Sequence, residues 1–200
     1  LELGPDDYQT LGTEVNLANL ESAKGNYHDA IARYQSALAT LRVRYGPRYQ
    51  WTRFAMQGLA EAHEAAGQRE PARALWGELL ELSVAPAERA GATPGAMNNA
   101  AWSLLTHQFE ELRDPARALP LAERACGREE ANGGENLWIY LDTLALAQHM
   151  TGDSAAAGRT QRRAVELLPA DSTDRADYEK RLAEYEAALA AGAASMGEGQ

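Results

Sequence analysis

The chain has 200 residues, 45% hydrophobic and 24% charged, an ordinary composition for a folded protein with a sizeable core. Nineteen Lys and Arg against twenty-nine Asp and Glu give a formal net charge of -10, which argues against nucleic acid as a partner because phosphate binding needs basic stripes. A lone cysteine, Cys126, excludes an internal disulfide and fits a reducing cytoplasm, and no apolar run approaches the roughly 18 residues of a membrane span. Alanine makes up a fifth of the residues and aromatics only 7%, a balance that favours closely packed helices, so the expected fold class is all-α.

In chain order, a first helical hairpin is expected over about residues 11–44, with Leu17, Ala18, Gly25, Ala30, Tyr34 and Ala37 at its small and apolar positions. A second, over about 50–83, repeats them 42 residues later as Leu59, Ala60, Gly67, Ala72, Trp76 and Leu79. The third, over about 94–130, is less regular: Ala100 and Ala101 precede Ala118, Ala122 and Ala125, with five extra residues between His107 and Asp114. The fourth, over about 135–169, reads Leu144, Ala145, Gly152, Ala157, Gln161 and Ala164.

Each copy joins two helical periods through a tight turn, as at Gly25 and Gly67, and the alanines let paired helices approach to about 8–10 Å. In this pattern Leu17-Ala18 belongs to the packing seam, while Tyr34 and Trp76 fill the wedge between hairpins. Asp114-Pro115 is an N-cap followed by proline at the first helical position, whereas Pro120 falls inside the same helix and conflicts with it. The run from about 171 to 191, opened by Asp171 to Asp174, predicts a solvated capping helix, and residues 193–200 a disordered tail after a single array over 1–192.

These positions resemble the tetratricopeptide repeat, whose pattern runs W-x₂-L-G-x₂-Y, then A-x₃-F, then P. Leu17-Ala18, Gly25-Asn26-Tyr27 and Ala30-x₃-Tyr34-x₂-Ala37 follow it, as do Leu144-Ala145, Ala157, Ala164 and Pro169. The sequence departs at the signature tryptophan, where Glu14, Met56 and Leu141 stand, and at the first tyrosine, where Glu21, His63 and Gln148 stand. The 42-residue period and the segment Leu3-Gly4-Pro5-Asp6-Asp7-Tyr8, echoed at Tyr45-Gly46-Pro47, resemble the repeats of kinesin light chains. In that family the segment follows a hairpin, and the chain opens on Leu1 and not on methionine, so the sequence is expected to be a piece of something longer. The resemblance implies an α-solenoid, a right-handed superhelix of about four hairpins with a C-terminal capping helix.

No chemistry of another kind emerges from the residues. His28, His63, His107 and His149 form no His-Glu-x-x-His pair, Gly133-Gly134 follows no strand, and there is no Cys-x-x-Cys, so neither enzyme, metal nor cofactor is expected. Cys126, on one helix with Ala122 and Ala125, reads as a small buried hydrophobe. Function instead follows from the resemblance: a scaffold binding a peptide or partner protein along the first helices.

Carried onto matching positions, the groove residues are Val15, Asn16, Asn19 and Ser22, then Phe54, Gln57, Glu61 and Glu64. The third hairpin offers Asn98, Asn99 and Trp102, and the fourth Ile139, Asp142, Thr143 and Leu146. Asn16, Asn19 and Asn99 can each donate to and accept from a peptide backbone, and replacing Asn16 and Asn19 is expected to weaken binding without unfolding. With no Lys or Arg at these positions and Glu61, Glu64 and Asp142 among them, the expected ligand is neutral or basic with an apolar anchor near Trp102 or Phe54. Self-association is the alternative binding mode. The third hairpin, Asn98 to Leu105 with Leu112 to Ala118, is similar to repeats that follow kinase domains in bacterial signalling proteins. It implies the alternative of a regulatory or sensor segment in an enzyme such as a Ser/Thr kinase.

Overall fold

The computed structural model describes Gly4 and residues 7–197, with side chains up to 192, so Leu3, Pro5 and Asp6 of the opening segment lie outside the described residues. Every regular element among the described residues is helical, and the chain divides into two compact units, Leu1–Ser83 and Val84–Gln200.

Unit 1 holds α1 (Tyr8–Ala23), α2 (Tyr27–Tyr45), α3 (Gln50–Ala65) and the first part of α4 (Arg69–Ala87). Asp7 caps α1 by accepting the Gln9 amide at 2.9 Å. At its other end Gly25 turns the chain with φ of 84°, its own amide bonding the Ser22 carbonyl and the Asn26 amide bonding that of Glu21. This double closure satisfies two end carbonyls and needs a residue free to adopt positive φ. The same closure recurs at Gly67 and Gly152, with φ of 74° and 95°, so the turns inferred from sequence lie where glycine recurs. Beneath them the core joins Leu11, Val15 and Ala18 to Ile31, Tyr34 and Leu41, and to Ala55, Met56 and Leu59 of the next helix.

Tyr34 fills the wedge between hairpins, as its spacing predicts: its ring lies so close to Gly58 that a Cβ there would stand 2.5 Å from it. Trp76 does so less completely, being half-buried with its indole N–H donating to Glu64. Leu17 departs from its seam assignment. It is 40% exposed, and Leu20 50%, whereas the equivalent Leu59 is only 4% exposed. Leu59 is covered by the first hairpin, while among the described residues α1 has only α2 and α3 as major partners, and they cover its Val15 and Ala18 face.

Unit 2 holds the end of α4, α5 (Pro94–Thr106), α6 (Pro115–Ala131), α7 (Leu137–Met150), α8 (Ser154–Leu167) and α9 (Arg175–Gly197). Each of α5 to α9 packs on the next, and α5 also meets α7, which brings the first helices of neighbouring hairpins side by side, as α1 and α3 are in unit 1. The extra residues of the third hairpin form a 3-10 turn, Glu110–Leu112, plugged by buried Phe109 and closed by the Asp114 amide on the Leu104 carbonyl at 2.9 Å. Asp114 then caps α6 through the Arg117 amide, with Pro115 next. Pro120 stands inside α6 on its exposed side, and the Ala116 carbonyl it leaves without a helical donor belongs to an exposed residue, open to solvent. Helix α9 starts at Arg175 and runs to Gly197, through the alanines of the segment expected as a tail, because alanine is the strongest helix former.

Cys126 is buried, and burial pushes its thiol up to about 12. A disulfide-exchange reagent at pH 8 is therefore expected to modify the native chain roughly a thousandfold more slowly than the denatured chain. Equal rates in the two states would contradict this packing.

Candidate functional site

The first helices of unit 1 enclose an open cleft of about 350 Å³ lined by Val15, Asn16, Asn19, Trp51, Phe54, Gln57, Gly58 and Glu61. All the candidates from these helices line it except Ser22 and Glu64; Ser22 is half-buried away from it, and Glu64 accepts the Trp76 indole. Val15 is wholly buried and serves as floor, whereas Asn16 and Phe54 are exposed. Trp51 packs edge-on against Phe54 with ring centroids 5.7 Å apart, giving the cleft an apolar wall that the repeat positions alone had not marked. At its rim Gln57 donates to Glu61 at 2.9 Å, and Glu61 is the one carboxylate lining the cleft.

Asn19 does more than face the solvent. Its Oδ1 accepts the hydroxyl of Tyr34, whose pKa is pushed up to about 12, first by burial and then by the nearby Glu61. The hydroxyl stays a donor across the physiological range, so removing Asn19 would leave it unpaired at a cost of about 1–3 kcal/mol. A substitution at Asn19 is therefore expected to lower the stability of unit 1 as well as to alter the cleft, whereas Asn16 is exposed and lines the cleft.

Unit 2 carries a corresponding cleft of about 370 Å³ between α5, α7 and the start of α9. Asn98, Asn99, Trp102, Ile139, Asp142 and Thr143 line it as expected from sequence; Leu146 does not. Thr143 is buried with its hydroxyl directed to the Ile139 carbonyl, while Trp102 and Ile139 remain exposed. Four further residues come from α9 and the turn before it: Asp174, Asp177, Tyr178 and Arg181. Treating α9 as a solvated cap hid them. The available signal was the seven-residue spacing of Tyr178 and Tyr185, two aromatics on one helix face, both of which are buried.

Asp142 is a strut in this cleft. Its Oδ1 accepts from Gln161 Nε2 and from Arg181 Nε, each at 2.8 Å, and Gln161 Nε2 also reaches the Tyr178 carbonyl at 3.2 Å. Burial raises the Asp142 carboxyl above the usual carboxylate range against the opposing pull of Gln161 and Arg181. The Arg181 guanidinium lies 4.9 Å above the Tyr178 ring. The cleft thus does hold a cation, but one committed to Asp142, and among the described residues no ion pair is made by Asp174 or Asp177.

Among the described residues no group of three His, Cys, Asp or Glu is arranged to hold a metal ion, and no helix is long and apolar enough to cross a membrane. His63 is buried with its ring nitrogen on Gln68 at 2.7 Å, and His149 meets Ser154 and the Tyr185 ring.

Residues 9–83 match the model of the tetratricopeptide repeat family. No curated protein sequence matches the chain. Among solved structures it is similar to a protein of kinesin-light-chain type from Podosopora anserina with nearly identical TPR-like repeats, at 16% identity and a TM-score of 0.54, over 94% of this chain and 89% of that one. A variant of that protein with methionine in place of one glutamine aligns with a TM-score of 0.56 at 15% identity, over 94% and 90% of the two chains. BtubC (BKLC) from P. vanneervenii aligns with a TM-score of 0.51 at 19% identity, over 92% of this chain and 76% of that one. At such identities the likeness is one of fold: helical hairpins stacked in sequence.

Proposed function

We propose that this chain of kinesin-light-chain-like tetratricopeptide repeats is a non-catalytic scaffold that holds a peptide or partner protein against the first helices of its hairpins. The tetratricopeptide repeat fold commonly mediates protein–protein interaction, and the fold shared with the kinesin-light-chain-like structures is generally a scaffold and not a catalyst. The observation that carries the reading is that each unit has a cleft walled by an exposed aromatic, Phe54 packed on half-buried Trp51 in one and Trp102 in the other, next to carboxamides. Aromatic walls anchor apolar side chains, and carboxamides pair with peptide amides whatever the peptide's sequence. Glu61 in the first cleft, and Asp174 and Asp177 in the second, give both an acidic character that suits a neutral or basic ligand.

Asn16→Ala with Phe54→Ala tests this with two exposed side chains whose removal leaves the core untouched. Titrated against a partner captured from the source cell, the double variant is expected to bind roughly tenfold more weakly, with an unchanged circular dichroism spectrum. Unchanged affinity would remove the first cleft from the binding surface.

A further inference from the structure

The cleft of unit 2 contains more acceptors than its own donors use. Asn98 lines it and is 93% buried, being only 7% exposed, yet its Oδ1 has no hydrogen-bond donor. A buried acceptor left unpaired is costly, so a donor brought in by a ligand would be held there more strongly than on an open surface. Asp174 and Asp177 line the same cleft without ion pairs, the ion pair of the neighbouring Arg181 being made with Asp142. Trp102 supplies an exposed aromatic face. Separate acceptors of both kinds beside an indole suit a group that is cationic, planar and rich in donors. Guanidinium has five N–H donors in a rigid plane and stacks on aromatic rings, whereas ammonium has three donors on a point charge.

We propose that the cleft of unit 2 receives a single arginine side chain of the bound protein, with Asn98 Oδ1, Asp174 and Asp177 as acceptors and Trp102 as the stacking surface. This rests on the scaffold reading above and names the side chain that the second cleft selects. Asp142 already spends its Oδ1 on Gln161 and Arg181, so the contact is assigned to Asp174 and Asp177, the lining carboxylates that make no ion pair.

The test uses the full chain labelled with ¹⁵N and three blocked tripeptides, Ac-Leu-Arg-Leu-NH₂ and its citrulline and lysine counterparts. The arginine peptide is expected to shift the Trp102 indole and Asn98 carboxamide resonances saturably, about tenfold more tightly than the neutral citrulline peptide. Binding should weaken as salt is raised and fall about tenfold in Asp174→Asn with Asp177→Asn. Both variant positions are exposed, and asparagine is as good as aspartate at the start of a helix, so the variant keeps α9. Equal response to arginine and citrulline, indifference to the double variant, or shifts confined to unit 1 would overturn the proposal. A lysine peptide binding as tightly as arginine would overturn the guanidinium assignment. A captured partner that needs Asn16 and Phe54 but ignores Asp174→Asn with Asp177→Asn refutes this inference alone and leaves the scaffold reading standing.

Discussion

Gly58→Ala is expected to destabilise unit 1 by about 2 kcal/mol, although the same change at an unconstrained helical site stabilises by about 1 kcal/mol. The sign is set by Tyr34. An alanine Cβ at 58 would lie 2.5 Å from Cζ and Oη of that ring and 2.6 Å from Cε1, well inside contact distance. Tyr34 is almost wholly buried in the core between α2 and α3, and its hydroxyl is tied to Asn19, so moving the ring also breaks a hydrogen bond. Overpacking of about 1–3 kcal/mol and the lost bond of about 1 kcal/mol together outweigh the propensity gain. Gly12 is the internal control. A Cβ there would meet the Trp51 ring at 2.9 Å, but Trp51 is only half-buried and can tilt outward, so Gly12→Ala is expected to lie near neutral. Urea denaturation followed by circular dichroism should order the two variants this way. Placing Gly58→Ala in a Tyr34→Leu background should turn the effect favourable by about 1 kcal/mol, since the clash is gone and the helix propensity remains. A stabilised Gly58→Ala in the native background would refute this account of the packing.

That pair also shows why some of the molecule is legible in its sequence. Small residues recurring every 42 positions mark where helices cross, and glycines at Gly25, Gly67 and Gly152 mark turns that only a positive φ can make. Both are steric requirements, met locally and therefore written locally. The first-helix candidates gather into clefts for the same reason, because equivalent repeat positions project on equivalent faces. What sequence alone hides is the second partner of each residue. Asn19 is an exposed carboxamide by pattern, and only the folded chain brings the Tyr34 hydroxyl to it from 15 residues away. Leu17 matches Leu59 in the repeat yet differs tenfold in exposure, 40% against 4%, since burial depends on what lies across the helix and not on the helix itself. Helix α9 is the largest case. Its Asp177 and Arg181, with Asp174 just before it, carry the charge pattern of any solvated helix, and their place in a cleft depends on α9 packing along α8.

Asp142→Ala is expected to cost unit 2 about 2–4 kcal/mol, because it removes one acceptor from a buried donor, Gln161, and a half-buried one, Arg181, at once. Gln161 Nε2 would keep only the longer bond to the Tyr178 carbonyl, and the Arg181 guanidinium would lose its counter-charge where its side chain is 26% exposed. Asp142→Asn separates the hydrogen bonds from the charge, since an amide oxygen in the Oδ1 position still accepts from both donors. The difference between wild type and this variant must then depend on pH with a definite sign. Burial is the dominant influence and raises the folded carboxyl above its ordinary value near 4, so the folded state holds the proton more tightly than the unfolded chain does. The stability this contributes is fully present below the ordinary value and is lost as pH rises through the folded pKa. Wild type should accordingly lose stability relative to Asp142→Asn on going upward from about pH 4, and the difference should level off once the folded carboxyl is fully ionised. Urea midpoints for the two chains across that interval decide the matter. If wild type gained relative to Asp142→Asn as pH rose, attraction from Arg181 would outweigh burial and Asp142 would be a net source of stability in its charged form.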